Sequence, residues 1–449
     1  CMTGKRQLLC KIIFVKMAHT QKSINFITLG CSKNTVDSEV LAAQFEKLGY
    51  KVMHNSPNNS EIVVVNTCSF INDAKEQAID EIFVQVRRKK AGEIKQLFVI
   101  GCLAERYKDD LVKSFNEVDK ILGFSELHKM LQTDSFDLLQ QKERILSTPQ
   151  HYAYLKISEG CDRECSYCAI PQIRGKQVSK PMEMIVEETK MLAERGVKEI
   201  MLIAQDLTYY GMDLTKTRTL EPLLRRIASV SGIEWIRLHY AYPMGFPYEI
   251  LDVMNEYSNI CKYLDIPLQH INTDILKSMR RGSTSTQIYK LIENFRNKVP
   301  GIALRTSLIS GYPTETRKEH KELLEFVKTV KFERLGVFPY SQEENTPAYE
   351  LGDPHKQREK NKRVREIMEA QEEISLNHNQ KKINTLMKVI IDDMDNQFYI
   401  GRTEFDSPDV DNAVLIEKTT PLKIGEFYPV LITHAEAYDL YGKVITSNK

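Results

Sequence analysis

The stretch Tyr152-Ala-Tyr-Leu-Lys-Ile-Ser-Glu-Gly160-Cys161-Asp-Arg-Glu-Cys165-Ser-Tyr167-Cys168-Ala-Ile-Pro-Gln-Ile-Arg174 joins an apolar, strand-like run to a polar loop that carries three cysteines. The run 152–157 has the length and β-branched or aromatic content of a buried strand. A loop filled with Asp, Arg, Glu and Ser is not where core thiols gather. Cysteines spaced as CxxxCxxC offer three soft sulfur ligands, enough to bind three irons of a [4Fe–4S] cube and leave the fourth iron open. A structural zinc site is the first alternative, but it asks for four ligands, commonly as paired CxxC units, and no nearby His or Cys completes the set. Three buried structural thiols are the second alternative.

Working outward, the apolar runs 200–204, 235–238, 263–266, 303–309 and 335–338 follow, with helical stretches between most of them. Six strands in such alternation predict a partial (β/α)6 barrel whose reactive groups sit on the loops after the strands. Upstream, the runs 24–29, 62–65 and 97–100 are each followed by a cysteine, Cys31, Cys68 and Cys102, and then by helical periodicity. That pattern predicts parallel strands in βαβ units, whose carboxyl-end loops share one edge of the sheet. Cysteines far apart in sequence then converge there, although three separate buried thiols would be the plain reading of each alone. Residues 356–380 read as a solvated amphipathic helix. The short runs 385–391, 397–403, 413–416, 428–434 and 440–445 predict a small antiparallel β-barrel. The expected organisation is α/β: an N-terminal parallel-sheet domain over 24–138, the central barrel over 147–378 and the terminal β-barrel over 381–449. Residues 1–23, which begin with Cys1 and contain Cys10, are set aside as an extension.

Composition agrees with three folded units in 449 residues, at roughly 150 per domain. Lys+Arg (62) and Asp+Glu (61) balance to a net charge of +1, so no global basic excess draws the whole chain to nucleic acid. The apolar stretch 8–17 carries Lys11 and Lys16 and is far shorter than the ~20 residues of a membrane span. Nine cysteines, an odd number in a chain too large to need staples, favour a reducing, cytoplasmic setting.

With Tyr167 before its last cysteine, the CxxxCxxC loop resembles the signature of the radical S-adenosylmethionine (SAM) superfamily. The resemblance implies that Cys161, Cys165 and Cys168 are the catalytic cluster ligands. It also implies that the open iron chelates the amino and carboxylate groups of SAM, and that reduction cleaves SAM to a deoxyadenosyl radical. Ile309-Ser-Gly311-Tyr-Pro-Thr-Glu315 resembles the SAM-binding segment of these barrels, so Tyr167, Gln205, Ile309, Gly311 and Glu315 are the expected SAM contacts. Three strand-end cysteines ahead of such a core and a β-barrel behind it are the layout of the methylthiotransferases. That family places a second [4Fe–4S] cluster on the positions of Cys31, Cys68 and Cys102, and a TRAM barrel at the end.

Two branches share all six ligands: RimO, acting on the β-carbon of an aspartate in ribosomal protein uS12, and MiaB, acting on isopentenyl-adenosine in tRNA. Leu29-Gly-Cys31-Ser-Lys-Asn34-Thr-Val-Asp37-Ser-Glu39 resembles the RimO branch. So do Leu202-Ile-Ala-Gln205-Asp206-Leu-Thr-Tyr-Tyr-Gly211 and His239-Tyr240-Ala241-Tyr242-Pro243. Charge points the same way: residues 381–449 hold eight Lys and Arg against eleven Asp and Glu, a net −3. With Asp406, Asp409 and Asp411 crowding one loop, the predicted surface suits a basic protein better than RNA; the plain alternative is a solvated turn. The implied partners are uS12 or the small ribosomal subunit, an external electron donor and a sulfur donor the sequence does not identify, with tRNA less favoured. A non-catalytic Fe–S or zinc module associated with RNA is the rival of a different class. His239, Tyr240, Gln205 and Asp206 are expected at the barrel mouth as ligand contacts or satisfied structural groups, and His270 likewise. Arg163 and Arg174 are expected either to tune the cluster or to pair with Glu159 and Glu164, and Cys261 to lie in the core.

Overall fold

The computed structural model describes residues 22–58 and 60–445; Cys1, Cys10 and nearly all of the 1–23 segment lie outside the described residues. The first sheet contains β1 (Ser23–Thr28), β2 (Lys51–His54), β3 (Ile62–Thr67), β4 (Gln96–Gly101) and β5 (Lys120–Leu122). All pairings are parallel, in the order β2-β1-β3-β4-β5. The chain therefore reverses direction of travel between β1 and β3, and a crevice opens at the carboxyl ends of adjacent strands where this switch occurs. Cys31, Cys68 and Cys102 follow β1, β3 and β4, three neighbours across that edge.

The second sheet runs in sequence order through β6 (Tyr152–Lys156), β7 (Glu199–Ile203), β8 (Trp235–Leu238), β9 (Ile260–Asp265), β10 (Ala303–Ser310) and β11 (Arg334–Pro339). Every neighbouring pair is parallel, and helices pack the outer face over a continuous core that includes Leu202, Ile236, Leu264, Leu304 and Phe326. This is the expected partial barrel. The long helix Gln357–Gln380 is not merely a solvated face, because Ile367 and Ile374 join that core. Its Glu366 accepts from Arg317 Nη2 at 2.8 Å and pairs with His320 Nε2 at 2.9 Å. Arg317, and then His320, hold this carboxyl down at about 2 against an ordinary 4.5. The contact should stabilise fully above about pH 4.5 and fade as the pH falls toward 2. Glu366→Gln should accordingly flatten the acid limb of a plot of Tm against pH, by less than about 1 kcal/mol for so exposed a pair.

Strands β12 (Leu386–Met394), β13 (Phe398–Arg402), β14 (Ala413–Glu417), β15 (Phe427–Ala435) and β16 (Asp439–Val444) close into a barrel in the order β12-β13-β14-β16-β15. The purely antiparallel expectation needs one correction, since β14 and β16 pair in parallel. A second correction is larger. The acidic loop does not face a partner but plugs the base of the central sheet. Asp406 is buried and accepts from Arg334 Nε at 2.8 Å. Asp411 takes the Tyr263 hydroxyl at 2.8 Å and Arg305 Nε at 3.3 Å. Burial alone would raise the Asp406 carboxyl, yet Arg334 beside it holds it below the usual range. Only Asp409 of the three is exposed. Deeper still, Glu199 accepts from Arg237 Nε at 2.9 Å and from Arg402 Nη2 at 2.7 Å, joining the two barrels through buried charge. Among the described residues, no helix is long and apolar enough to cross a membrane.

Candidate functional site

Strand ends bring the first cysteine trio together. Gly30 and Gly101 both adopt left-handed φ, +90° and +93°. A Cβ on Gly30 would stand 2.5 Å from Cys68 Cβ and 2.8 Å from its Sγ, so the backbone passes the sulfur closely enough to exclude any side chain. Gly30→Ala should therefore cost about 1–2 kcal/mol for the backbone alone, with a lower Tm and displaced trio as the readouts. Asn34 ties the ends of β1 and β3 by donating to Leu29 O at 2.8 Å and Thr67 O at 3.0 Å. All three cysteines are free thiols. Burial pushes Cys68 up to about 12, and neighbouring Cys31 and Cys102 add to the shift; burial raises Cys102 as well.

The second trio sits on the loop after β6. Gly160, at φ +77°, passes so close to Lys176 O that a Cβ would lie 2.1 Å from it. Cys161 N donates to Gly175 O at 3.1 Å, and Ser166 N to Met279 O at 3.0 Å, which fixes the loop against the barrel rim. Cys161, Cys165 and Cys168 line a cavity of about 440 Å³ together with Arg163, Lys176 and Arg280. Arg281 Nη1 lies 3.5 Å from Cys165 Sγ and 3.4 Å from the Tyr167 hydroxyl. The Tyr242 hydroxyl lies 3.7 Å from the same sulfur. Burial pushes Cys161 up to about 11 and Cys168 up to about 12, each with smaller contributions from its neighbouring thiols.

Both trios have the chemistry of cluster ligands. Buried thiols set side by side repel one another as thiolates, and cationic guanidinium groups at two of the sulfurs offset negative charge on sulfur. Among the described residues no group of three His, Cys, Asp or Glu is arranged to clasp a single metal ion. A polynuclear cluster instead takes each thiolate on a separate iron.

The two trios meet in one seam. Cys102 packs with Ala169 and Ile173, the residues just beyond Cys168, and with Phe124. Arg174 reaches from the second loop into the first site, where Nη2 lies 3.5 Å from Cys102 Sγ and 2.6 Å from Asn34 Oδ1, and Nη1 bonds Asp37 at 2.7 Å and Glu159 at 3.0 Å. Lys156 grips the same Asp37 and Glu159. Of the two expected acidic partners, Glu159 is taken by Arg174 within this wider network, whereas Arg163 pairs with Asp206 at 2.8 Å. Nothing in local sequence marks Asp37 and Lys156 as partners, because they are joined only by docking of the two sheets.

The expected SAM contacts divide. Gln205 donates through Nε2 to Glu159, while its Oε1 is buried without a partner, as is Arg163 Nη2. Tyr167 and Ile309 share a small apolar cluster with Tyr312 and Tyr340. Gly311 is fitted to Lys360, whose Cγ would meet its Cβ at 2.5 Å. Glu315 is fully buried and spent on the protein itself, taking Arg363 Nη1 at 2.7 Å and Gly311 N at 3.0 Å, with His270 3.4 Å away. It holds the 309–315 turn. His239 bonds Ser407 Oγ at 3.1 Å and is a satisfied structural group, and Cys261 lies in the core beside Trp235 and Tyr263.

Family models match in three segments: an uncharacterised protein family, UPF0004, over 23–123, the radical SAM superfamily over 155–327 and the TRAM domain over 383–445. The chain is 52% identical over 423 residues to ribosomal protein uS12 methylthiotransferase RimO of Christiangramia forsetii, with 94% of each chain covered. It is 51% identical over 430 residues to RimO of Phocaeicola vulgatus, covering 95% of this chain and all of that one. Among solved structures, the radical SAM methyltransferase TsrM of Kitasatospora setae, with cobalamin and a [4Fe–4S] cluster bound, aligns over 73% of this chain and 77% of its own at a TM-score of 0.53 and 14% identity, which shows a common fold. Identity of about one half, sustained along nearly the whole of both chains and through all three segments, means that this chain belongs to the RimO family of ribosomal protein uS12 methylthiotransferases.

Proposed function

We propose that the chain attaches a methylthio group to the β-carbon of an aspartate in ribosomal protein uS12, either free or within the small ribosomal subunit. The observation that supports this most is the single seam in which Cys102 of one trio packs against the loop of the other and Arg174 spans both. In this reading Cys31, Cys68 and Cys102 would hold one [4Fe–4S] cluster, and Cys161, Cys165 and Cys168 a second, at which SAM binds. When bound, the clusters and SAM supply the radical that removes hydrogen from an unactivated carbon and the methylthio group that replaces it, chemistry beyond any side chain.

The chain's own residues do the rest. Arg281 and Tyr242 crowd Cys165 and close off water on that side, while Arg163, stacked 4.1 Å from the Tyr242 ring centroid, keeps an unpartnered Nη2 near the cavity. Gln205 Oε1 and Arg163 Nη2, both buried without a partner, would serve the amino and carboxylate groups of SAM, and Tyr167, Ile309 and Gly311 would stand against it. Glu315 acts at one remove by fixing that turn. An external one-electron donor and a sulfur donor complete the requirement.

The test is anaerobic reconstitution with iron and sulfide, then incubation with SAM, a chemical reductant and either uS12 or isopentenylated tRNA. Mass spectrometry should find a methylthio group in place of hydrogen on a uS12 aspartate; the same gain on tRNA alone would overturn the proposal.

A further inference from the structure

Four lysines are buried among the described residues: Lys33, Lys156, Lys180 and Lys360. Three of them hold carboxylates, Lys156 those of Asp37 and Glu159, Lys180 that of Glu188 at 2.6 Å and Lys360 that of Asp353 at 2.7 Å. Lys33 has no such partner. It is 8% exposed, its side chain forms no ion pair or hydrogen bond within the described residues, and its ammonium rests 3.1 Å from the centroid of the Tyr240 ring. A ring face attracts the ammonium but supplies no counter-charge. The sequence gives no hint of this, since Lys33 reads as an ordinary residue in the first turn of the helix Ser32–Lys47.

The position is informative. Lys33 lies two residues beyond Cys31, and Tyr240 two residues beyond the end of β8, so the ammonium occupies the seam between the first trio and the mouth of the central sheet. Tyr240 is held there in a left-handed conformation, φ +62°, that a bulky residue seldom adopts. Its N–H donates to Asp265 Oδ2 at 3.1 Å, and its carbonyl accepts from Leu207 N at 3.1 Å. The surroundings are electropositive. Burial, then Arg237, Arg305, Lys33 and Arg402, hold neighbouring His239 well below the usual imidazole range, so it stays neutral. Asp265 is already committed to Arg305 at 3.1 Å.

We propose that Lys33 binds the carboxylate of the aspartate that is to be modified. Lys33 Nζ keeps contact with solvent while the rest of the side chain is buried, so it is open to a ligand; an incoming carboxylate gives this ammonium the counter-charge it lacks, whereas a neutral amide of the same shape does not. The residue would thus place the target side chain between the two trios and select aspartate over asparagine. This rests on the uS12 reading above. Carboxylate is the chemistry recognised, and SAM carries one too, so the test must separate the two sources.

Lys33→Met and Lys33→Arg should be compared with the wild type as iron-loaded proteins, using uS12-derived peptides that carry either aspartate or asparagine at the target. Peptide binding is measured without reductant by calorimetry, SAM affinity by equilibrium dialysis, and turnover separately. Lys33→Met is expected to keep its iron and its SAM affinity, to weaken aspartate-peptide binding and kcat/KM about 100-fold, and to lose most of the preference over asparagine. Lys33→Arg should recover part of both. Unchanged aspartate preference in Lys33→Met overturns the proposal. Weakened SAM affinity with unaltered peptide binding overturns it as well and assigns Lys33 to SAM. Should Lys33→Met fail to load iron, the iron-replete Lys33→Arg decides the matter: complete loss of the aspartate preference with the cation retained counts against the proposal. A wild-type chain that neither binds nor modifies the aspartate peptide would instead sink the uS12 reading itself.

Discussion

A chain carrying Cys31→Ala is expected to fold, to bind about four irons where the wild type binds about eight, to keep cleaving SAM reductively, and to transfer no methylthio group. Cys31 is the right member of its trio for this experiment because Cys68 and Cys102 are each only 7% exposed and contribute to packing, whereas Cys31 is partly exposed. It precedes the helix Ser32–Lys47 without a capping hydrogen bond from its side chain, so removal of the sulfur leaves the helix start intact. Cys168→Ala is the companion variant and should abolish both SAM cleavage and transfer. The contrast separates two centres from one. Iron content, SAM cleavage products and peptide mass read the three outcomes independently, and full transfer by Cys31→Ala would refute a sulfur-delivering role for the first trio.

Much of this architecture was legible because the features that carry it are local. Central parallel strands such as Ile62–Thr67 open on an unbroken apolar run, here Ile62–Val65, and a cysteine soon after each of three such runs is visible without knowing the fold. The edge strands Lys51–His54 and Lys120–Leu122 escaped detection because one is polar and half-exposed and the other is three residues long. Long-range charge pairing is hidden for a different reason. Composition counts Asp406 and Asp411 as acidic surface, but their partners Arg334, Arg305 and Tyr263 lie on strands of another sheet. The partner of Glu315 is hidden for the same cause: the Arg363 that donates to it comes from the long helix. What pairs across domains is decided by docking, and docking leaves no periodic trace in sequence.

Arg174→Leu should be the most destabilising single substitution at the seam, at about 3–5 kcal/mol, the usual cost of removing one partner from a buried ion pair. Its guanidinium serves Asp37, Glu159 and Asn34 with three hydrogen bonds of 3.0 Å or less and lies 3.5 Å from Cys102 Sγ. Lys156 remains to neutralise Asp37 and Glu159 in part, but a single ammonium cannot reproduce the planar fork that reaches Asn34 and the sulfur together. Arg174→Lys should for that reason recover only some of the loss. Denaturant unfolding of the metal-free chain isolates the protein term from any contribution of bound iron. If the cost comes from stranded carboxylates, Arg174→Leu combined with Asp37→Leu should be less destabilised than the sum of the two single variants, because each partner's removal relieves the other's uncompensated charge. Strict additivity would mean that Arg174 acts through stacking on Phe124, whose ring centroid lies 3.8 Å from its guanidinium carbon, and not through its ion pairs. In the reconstituted protein the same variant should lose iron from the Cys31, Cys68 and Cys102 site before the CxxxCxxC loop, since only the former takes a guanidinium from across the seam.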